Sequence, residues 1–148
     1  MQRLYVIITA LAGLVAAATF AHRDRAGNVP AAFVGDTCRA GGTAMVRNEL
    51  YFGLSRKDAA AVSEAEWAAF VDAEVTPRFP DGLTVVDSYG QWRNAAGVIA
   101  KERSKVLIIW HPPSAGADAS LEAIRTAYKA RFAQESVMRV DAASCVSF

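Results

Sequence analysis

Few side chains in this sequence sit at spacings that could do chemistry. Of the two histidines, His22 lies in the N-terminal stretch and His111 ends an apolar run just before Pro112 and Pro113. A histidine serves as a general base when a carboxylate orients it. No acidic neighbour is evident beside His111, so a surface or subunit-contact role is expected. Ser104 and Lys105 are adjacent on what reads as a strand, so their side chains diverge and cannot form a Ser–Lys nucleophile pair. Glu64, Glu66, Asp72 and Glu74 fall along a helix and are expected as its solvated face. Glu74 and Arg78 have the favourable spacing for a helical ion pair, but Pro77 stands between them. Gln91, Trp92 and Arg93 lie near a turn, where an exposed indole beside a guanidinium could stack a ligand. The alternative is a Trp folded back onto the sheet. No Walker loop, HExxH, CxxC or Rossmann glycine pattern occurs, so no metal or other cofactor is expected.

The elements that position these residues follow from composition and patterning. The chain has 148 residues, 53% hydrophobic and 21% charged, with 16 Lys+Arg against 15 Asp+Glu and a formal net charge of +1. That length predicts one domain. The even charge balance, without a basic run, argues against nucleic acid as a partner. The apolar fraction is too high for a disordered chain, and two cysteines are too few for a disulfide-dense scaffold or a Cys-ligated zinc module.

Leu4 to Ala21 is an uncharged, largely apolar run behind Arg3, ending in small residues at Ala16, Ala17, Ala18, Thr19 and Ala21. This is the layout of a signal peptide over residues 1–21, and it predicts a periplasmic or secreted protein. The alternative is an uncleaved inner-membrane anchor over residues 4–21, since about 18 residues is the lower edge of a bilayer span. Membrane contact is expected only in that case. Residues 22–44, with Gly27-Asn28, Pro30 and Gly41-Gly42, show neither helical nor strand period and read as a flexible linker.

From residue 45 the pattern is strand, helix, two strands, helix, strand. Leu50, Phe52 and Leu54 alternate with polar or small residues in a strand over Met45–Leu54. Ser63 with Glu66 forms a capping-box pattern ahead of Trp67, Phe70, Val71 and Val75 on one helical face. Leu83–Trp92 and Val98–His111 read as a hairpin, with a bulge expected near Arg103. Asp118 or Ser120 is expected to start a helix bearing Leu121, Ile124, Tyr128 and Phe132 on one stripe. Ser136 to Val146 closes as the last strand. This order predicts an α+β, ferredoxin-like β-α-β-β-α-β domain over residues 45–148, an antiparallel sheet with both helices on one face.

Two consequences follow from that fold. The first and last strands become neighbours, so Cys38 and Cys145 come together and are expected to form a disulfide in an oxidising compartment. The third strand is central yet apolar toward both sides, with Val106, Ile108 and Trp110 one way and Leu107 and Ile109 the other. Helices can cover one side, so the other should expose an apolar stripe that marks a partner or a ligand groove. Leu50, Phe52, Leu54, Val106, Ile108 and Trp110 are placed under the helices. The open face is then expected to carry Glu49, Tyr51, Lys105, Leu107, Ile109 and His111, with Arg139 from the last strand.

At Glu49-Leu50-Tyr51-Phe52-Gly53, Val75-Thr76-Pro77-Arg78-Phe79-Pro80-Asp81-Gly82-Leu83-Thr84, Gly90-Gln91-Trp92, Ser104-Lys105 and Phe132-Ala133-Gln134-Glu135-Ser136-Val137, the chain resembles a bacterial exported family classed as a domain of unknown function. The resemblance covers about residues 45–148. It implies bacterial origin and export and no particular activity, and it marks Tyr51, Arg78, Gln91, Trp92 and Lys105 as the positions to test first. Some members look like lipoproteins; this chain has no Cys at the end of its apolar run and departs there. Two functions remain. One is a non-catalytic envelope module, a homodimer or a binder of a small apolar ligand, built on Glu49, Tyr51, Arg78, Gln91, Trp92, Lys105 and His111. The other is a small dimeric α+β barrel-type enzyme acting on an apolar molecule, with His111, Tyr51 or Arg78 as its polar groups.

Overall fold

Alternating burial along Thr43–Gly53 puts Val46, Asn48, Leu50 and Phe52 on one side and makes this segment the first strand, β1 (Thr43–Gly53). A computed structural model describes Cys38 and residues 41–148. After β1 come α1 (Glu64–Phe70), running on into a π-turn (Val71–Val75), then β2 (Thr84–Arg93), β3 (Ile99–His111), α2 (Ala115–Phe132) and β4 (Met138–Val146). The expected export segment over 1–21 lies outside the described residues, as does most of the expected linker over 22–44. The last two linker residues, Thr43 and Ala44, instead begin β1, where they pair with Val146 and Cys145.

The sheet order is β2-β3-β1-β4, antiparallel throughout, and with the two helices it forms the expected ferredoxin-like α+β fold. Pairing between β2 and β3 runs without interruption from Thr84↔Ile108 to Arg93↔Ile99. The bulge expected near Arg103 is therefore not formed. The hairpin closes at Asn94–Gly97, where the Val98 amide donates to Asn94 Oδ1 at 3.0 Å and Gly97 takes a positive φ of 78°.

The register of β1 against β3 corrects the expected facing of the third strand. Leu50 lies opposite Leu107 and Asn48 opposite Ile109, so Leu107 and Ile109 share the helix-covered side with Leu50 and Phe52. Val106, Ile108 and Trp110 fall on the open side, opposite Tyr51, Glu49 and Arg47. Both sides of β3 are apolar, so its own sequence could not distinguish them; pairing with β1 does.

Ser63 and Glu66 make both bonds of the capping box, and Arg56 Nη2 adds a third contact to Glu66 at 2.6 Å. Five residues of an α-helix advance about 1.4 turns, which would carry Val75 off the face of Phe70. The π-turn removes that offset, because its Thr76 amide donates to Val71 O, at 2.9 Å, and closes five residues into one turn. Phe70 and Val75 are both buried as a result. Helix α2 begins earlier than expected, at Ala115 after the extended cap Ser114, rather than at Asp118 or Ser120. Pro112 and Pro113 have already ended β3, and the early start seats Ala117 in the core. Its stripe of Leu121, Ile124, Tyr128 and Phe132 is buried as expected. Phe52 is the hub of the core: its ring lies 5.2 Å from Trp67, 6.0 Å from Phe70 and 4.6 Å from Tyr128, all edge-on. The Tyr128 hydroxyl donates to Gly53 O at 2.8 Å, which ties α2 to the end of β1.

Cys38 and Cys145 are joined, with Cα atoms 5.5 Å apart. The bridge spans a sequence separation of 107. Replacing both cysteines by Ser should lower stability by about 4–5 kcal/mol, the loop-entropy value for a ring of about 100 residues. Urea unfolding of the oxidised chain and the double variant measures this, and a loss below about 1 kcal/mol would contradict the entropic account.

The capping box carries a pH prediction. Arg56 and then the Ser63 amide and hydroxyl hold the Glu66 carboxyl down from 4.5 to about 2. A depressed carboxylate stabilises the fold above its unfolded value and ceases to do so as protons bind the folded form. Glu66→Gln should therefore melt lower than the parent at neutral pH. The gap should close as pH falls from 4.5 toward about 2. A gap independent of pH across that window, in parallel thermal melts, would contradict the assignment.

Candidate functional site

The open side of the sheet is assembled from every second residue of four strands. Arg47, Glu49 and Tyr51 of β1 lie beside Trp110, Ile108 and Val106 of β3. Val86, Ser88, Gly90 and Trp92 of β2 continue this side to one edge, and Met138 and Val140 of β4 continue it to the other. Both helices pack against the opposite side. Val86 is therefore 43% exposed, Val140 40% and Met138 55%, around the buried Val106.

A polar line runs along β1 across this apolar floor. The Tyr51 hydroxyl donates to Glu49 Oε2 at 2.5 Å. Arg47 Nη2 meets Glu49 Oε1 at 2.8 Å, and its guanidinium lies 5.5 Å from the centroid of Trp110. The hydrogen bond to Glu49, then desolvation, raises the Tyr51 hydroxyl above the usual phenol range.

Where β1 ends, the surface dips into a trough of about 350 Å³, walled by Tyr51, Trp92 and Met138 and floored near Gly53 and Gly90. Glu102 lies across it. Its Oε1 accepts from the Trp92 indole N–H at 2.7 Å, and its Oε2 from the Ser55 amide at 3.0 Å. Gly53 makes room for this: a Cβ there would stand 2.6 Å from Glu102 Oε1. On the next pair of the hairpin, Ser88 and Ser104 place their hydroxyls 2.7 Å apart.

Other expected site residues go elsewhere. Lys105 is not on the open face; it lies opposite Phe52 on the helix side and is 4% exposed. Its ammonium reaches Glu64 at 2.7 Å and Asp87 at 2.6 Å, so its apolar stem is buried while its head stays paired at the margin. Desolvation pulls its pKa down, but the bonds to Asp87 and Glu64 outweigh this and the net shift is upward. The same contact holds the Asp87 carboxyl below its usual value.

His111 also faces the helix side, opposite Val46. With Arg78, Phe79 and Ser114 it lines a separate cleft of about 340 Å³. Its Nε2 stands 2.6 Å from Asn48 Oδ1 and its Nδ1 2.7 Å from Pro112 O. Both oxygens accept, so a neutral ring satisfies one of them and an imidazolium satisfies both. The Asn48 amide nitrogen donates onward to Asp141, which also accepts from Arg139 Nε at 2.8 Å. Arg139, expected on the open face, points the other way and pairs with Asp118 and Glu122 of α2. Arg78 pairs with Glu74 despite Pro77, its Nη1 reaching the carboxylate at 2.9 Å and the backbone carbonyl at 2.6 Å.

Of the expected residues, Tyr51, Gln91 and Trp92 thus share one trough, with Glu49 bonded to Tyr51. Lys105, Arg78 and His111 do not join them. Sequence reasoning missed Glu102, which reads as one charge among several on an exposed strand. The available signal was Gly53 and Gly90, since a glycine inside a strand marks a close approach.

The Glu102 carboxylate should yield to a methyl group at Gly53. Gly53→Ala is expected to fold, to lose about 1 kcal/mol with the Trp92–Glu102 bond, and to shift the Trp92 indole N–H resonance toward its solvent-exposed position. An unshifted resonance would contradict this placement.

The fold has known counterparts. Two solved structures of a phage SAM lyase superpose on this chain. The complex with S-methyl-5'-thioadenosine gives a TM-score of 0.54 at 16% identity, covering 76% of this chain and 95% of that one. The apo state gives 0.52 at 17% identity, covering 77% and 97%. At that identity the likeness is one of fold. No curated protein matches the chain. Residues 47–148, from within β1 to the C-terminus, match the family described as Protein of unknown function (DUF3574), and the chain belongs to that family.

Proposed function

We propose that this protein is an exported bacterial envelope module that catalyses no reaction and works through the open face of its sheet, holding a second copy of itself or a small molecule with an apolar body. The observation that carries this reading is the uncovered stripe of Val86, Ile108, Met138 and Val140 around Val106. A fully solvated antiparallel face is polar throughout, whereas here apolar residues of β2, β3 and β4 flank the polar line of β1. Export is supported by the apolar run over residues 4–21 and by the Cys38–Cys145 bridge, which suits an oxidising compartment. Among the described residues no helix is long and apolar enough to cross a membrane.

An enzyme is the second reading, favoured by the trough beside Tyr51. It changes from its expected form, because Arg78 and His111 line a different cleft and cannot act with Tyr51 at one site. The fold also occurs in a SAM lyase, so the scaffold is compatible with catalysis. In this reading Tyr51→Ala abolishes a turnover; in the first it changes only association or affinity.

The association arm is direct. The chain is expressed with its own N-terminal segment, recovered from the envelope and measured by light scattering. An assembly larger than one subunit is expected. Val140→Glu, which would bury an unpaired carboxylate in the apolar contact beside Glu49, should weaken assembly about tenfold or more. A monomeric parent that also binds no apolar ligand would overturn the proposal.

A further inference from the structure

The hydrogen-bond inventory of the open-face trough points to the chemistry of its ligand. Most donors in and around it are already spent inside the protein. The Trp92 indole N–H goes to Glu102, and the Tyr51 hydroxyl goes to Glu49. The Gln134 amide donates to Ser55 O at 2.5 Å and to Phe132 O at 3.4 Å. The Ser88 hydroxyl lies 3.3 Å from the Ser104 carbonyl, and the two hydroxyls bond each other. What the lining residues leave over is a set of acceptors: the remaining lone pairs of Glu102, the Tyr51 oxygen, the Ser104 hydroxyl oxygen and the Gln134 side-chain carbonyl. Gln91 and Ser136, which could donate, stand at the exposed rim.

The charge points the same way. No Lys, Arg or His lines the trough, and among the described residues no basic side chain pairs with Glu102. The carboxylate is held in place by two neutral N–H groups, so its orientation is fixed while its charge is not cancelled. The walls beside it are the rings of Trp92 and Tyr51 and the thioether of Met138, which suit an apolar or cationic body. One carboxylate with aromatic walls is no site for a divalent metal, which takes several oxygen ligands, and no grouping of metal-ligating side chains occurs among the described residues.

We propose that this trough binds an organic cation that carries N–H donors on an apolar body, an amine or a guanidine, with Glu102 as the counter-ion. The inference rests on the open face being the working surface and names the ligand class that surface would take. An amine brings both things the trough lacks, donors and positive charge. A carboxylate or phosphate would meet Glu102 without a balancing cation, and a neutral alcohol supplies a donor without the charge.

The test follows the Trp92 indole N–H resonance of the full chain, identified by its disappearance in Trp92→Phe. Four probes share a phenyl body: phenethylamine, phenethyl alcohol, phenylacetate and benzyltrimethylammonium. Phenethylamine should shift the resonance in a saturable way, and each of the others should bind about tenfold more weakly or less, the margin of a charge-assisted hydrogen bond. Glu102→Gln should remove that margin. Equal binding of the alcohol or phenylacetate overturns the role of charge, and equal binding of benzyltrimethylammonium overturns the role of the donors. No response to phenethylamine overturns the site. The probe series uses the unaltered chain, so it stands even if Glu102→Gln fails to fold. Light scattering on the same samples separates the two readings. Association weakened by Val140→Glu without amine binding sinks this assignment alone, whereas association indifferent to Val140→Glu together with no amine binding sinks the open-face reading beneath it.

Discussion

The register between β1 and β3 governs everything else in this molecule. Because β3 is apolar on both sides, a shift by one residue would exchange Leu107 and Ile109 for Val106, Ile108 and Trp110 under the helices. What prevents the exchange is β1, whose sides differ sharply. Leu50 and Phe52 are wholly buried, whereas Arg47, Glu49 and Tyr51 carry the polar line of the open face. Opposite Phe52, the register also places Lys105 where Glu64 and Asp87 can reach its ammonium at the sheet margin. A slipped pairing would turn that ammonium to the open side, away from both Glu64 and Asp87. The buried lysine thus acts as a specificity element for strand pairing as well as a member of an ion pair.

The helix side solves a second polar problem at its other end. Asn48 is 1% exposed in the middle of a core strand, which would be costly if its amide were unmatched. His111 and Asp141 satisfy its two ends, and Arg139 links the chain onward to α2. His111 belongs to this network. Its role in the fold is to complete a buried amide's bonding and to pack near Phe79, whose ring lies 5.7 Å away.

Much of this was legible in the chain. Element order, the capping box, the α2 stripe and the Cys38–Cys145 bridge each follow from a local or topological rule that nothing nearby contradicts. The misreadings of facing have a physical source. Facing on β3 cannot be read from a strand that is apolar on both sides, and the errors at Lys105 and His111 came with it; Arg139 is placed by the register of β4 on β1, opposite Leu50. The trough depended on a pair of residues from different strands, Gly53 and Glu102, whose meeting is a matter of register. The π-turn was invisible because Trp67, Phe70, Val71 and Val75 satisfy a helical stripe loosely enough to hide the extra residue in the turn.

The covalent link at Cys38 also has a geometric effect. Cys145 pairs across from Ala44 at the start of β1, whereas Gly53 and the trough stand at its far end. At about 3.3 Å per strand residue the two lie about 30 Å apart. Cys38 is therefore tied to one pole of the sheet while the recess opens at the opposite pole. The cystine thus acts as a mooring that anchors Cys38 to the last strand far from the recess.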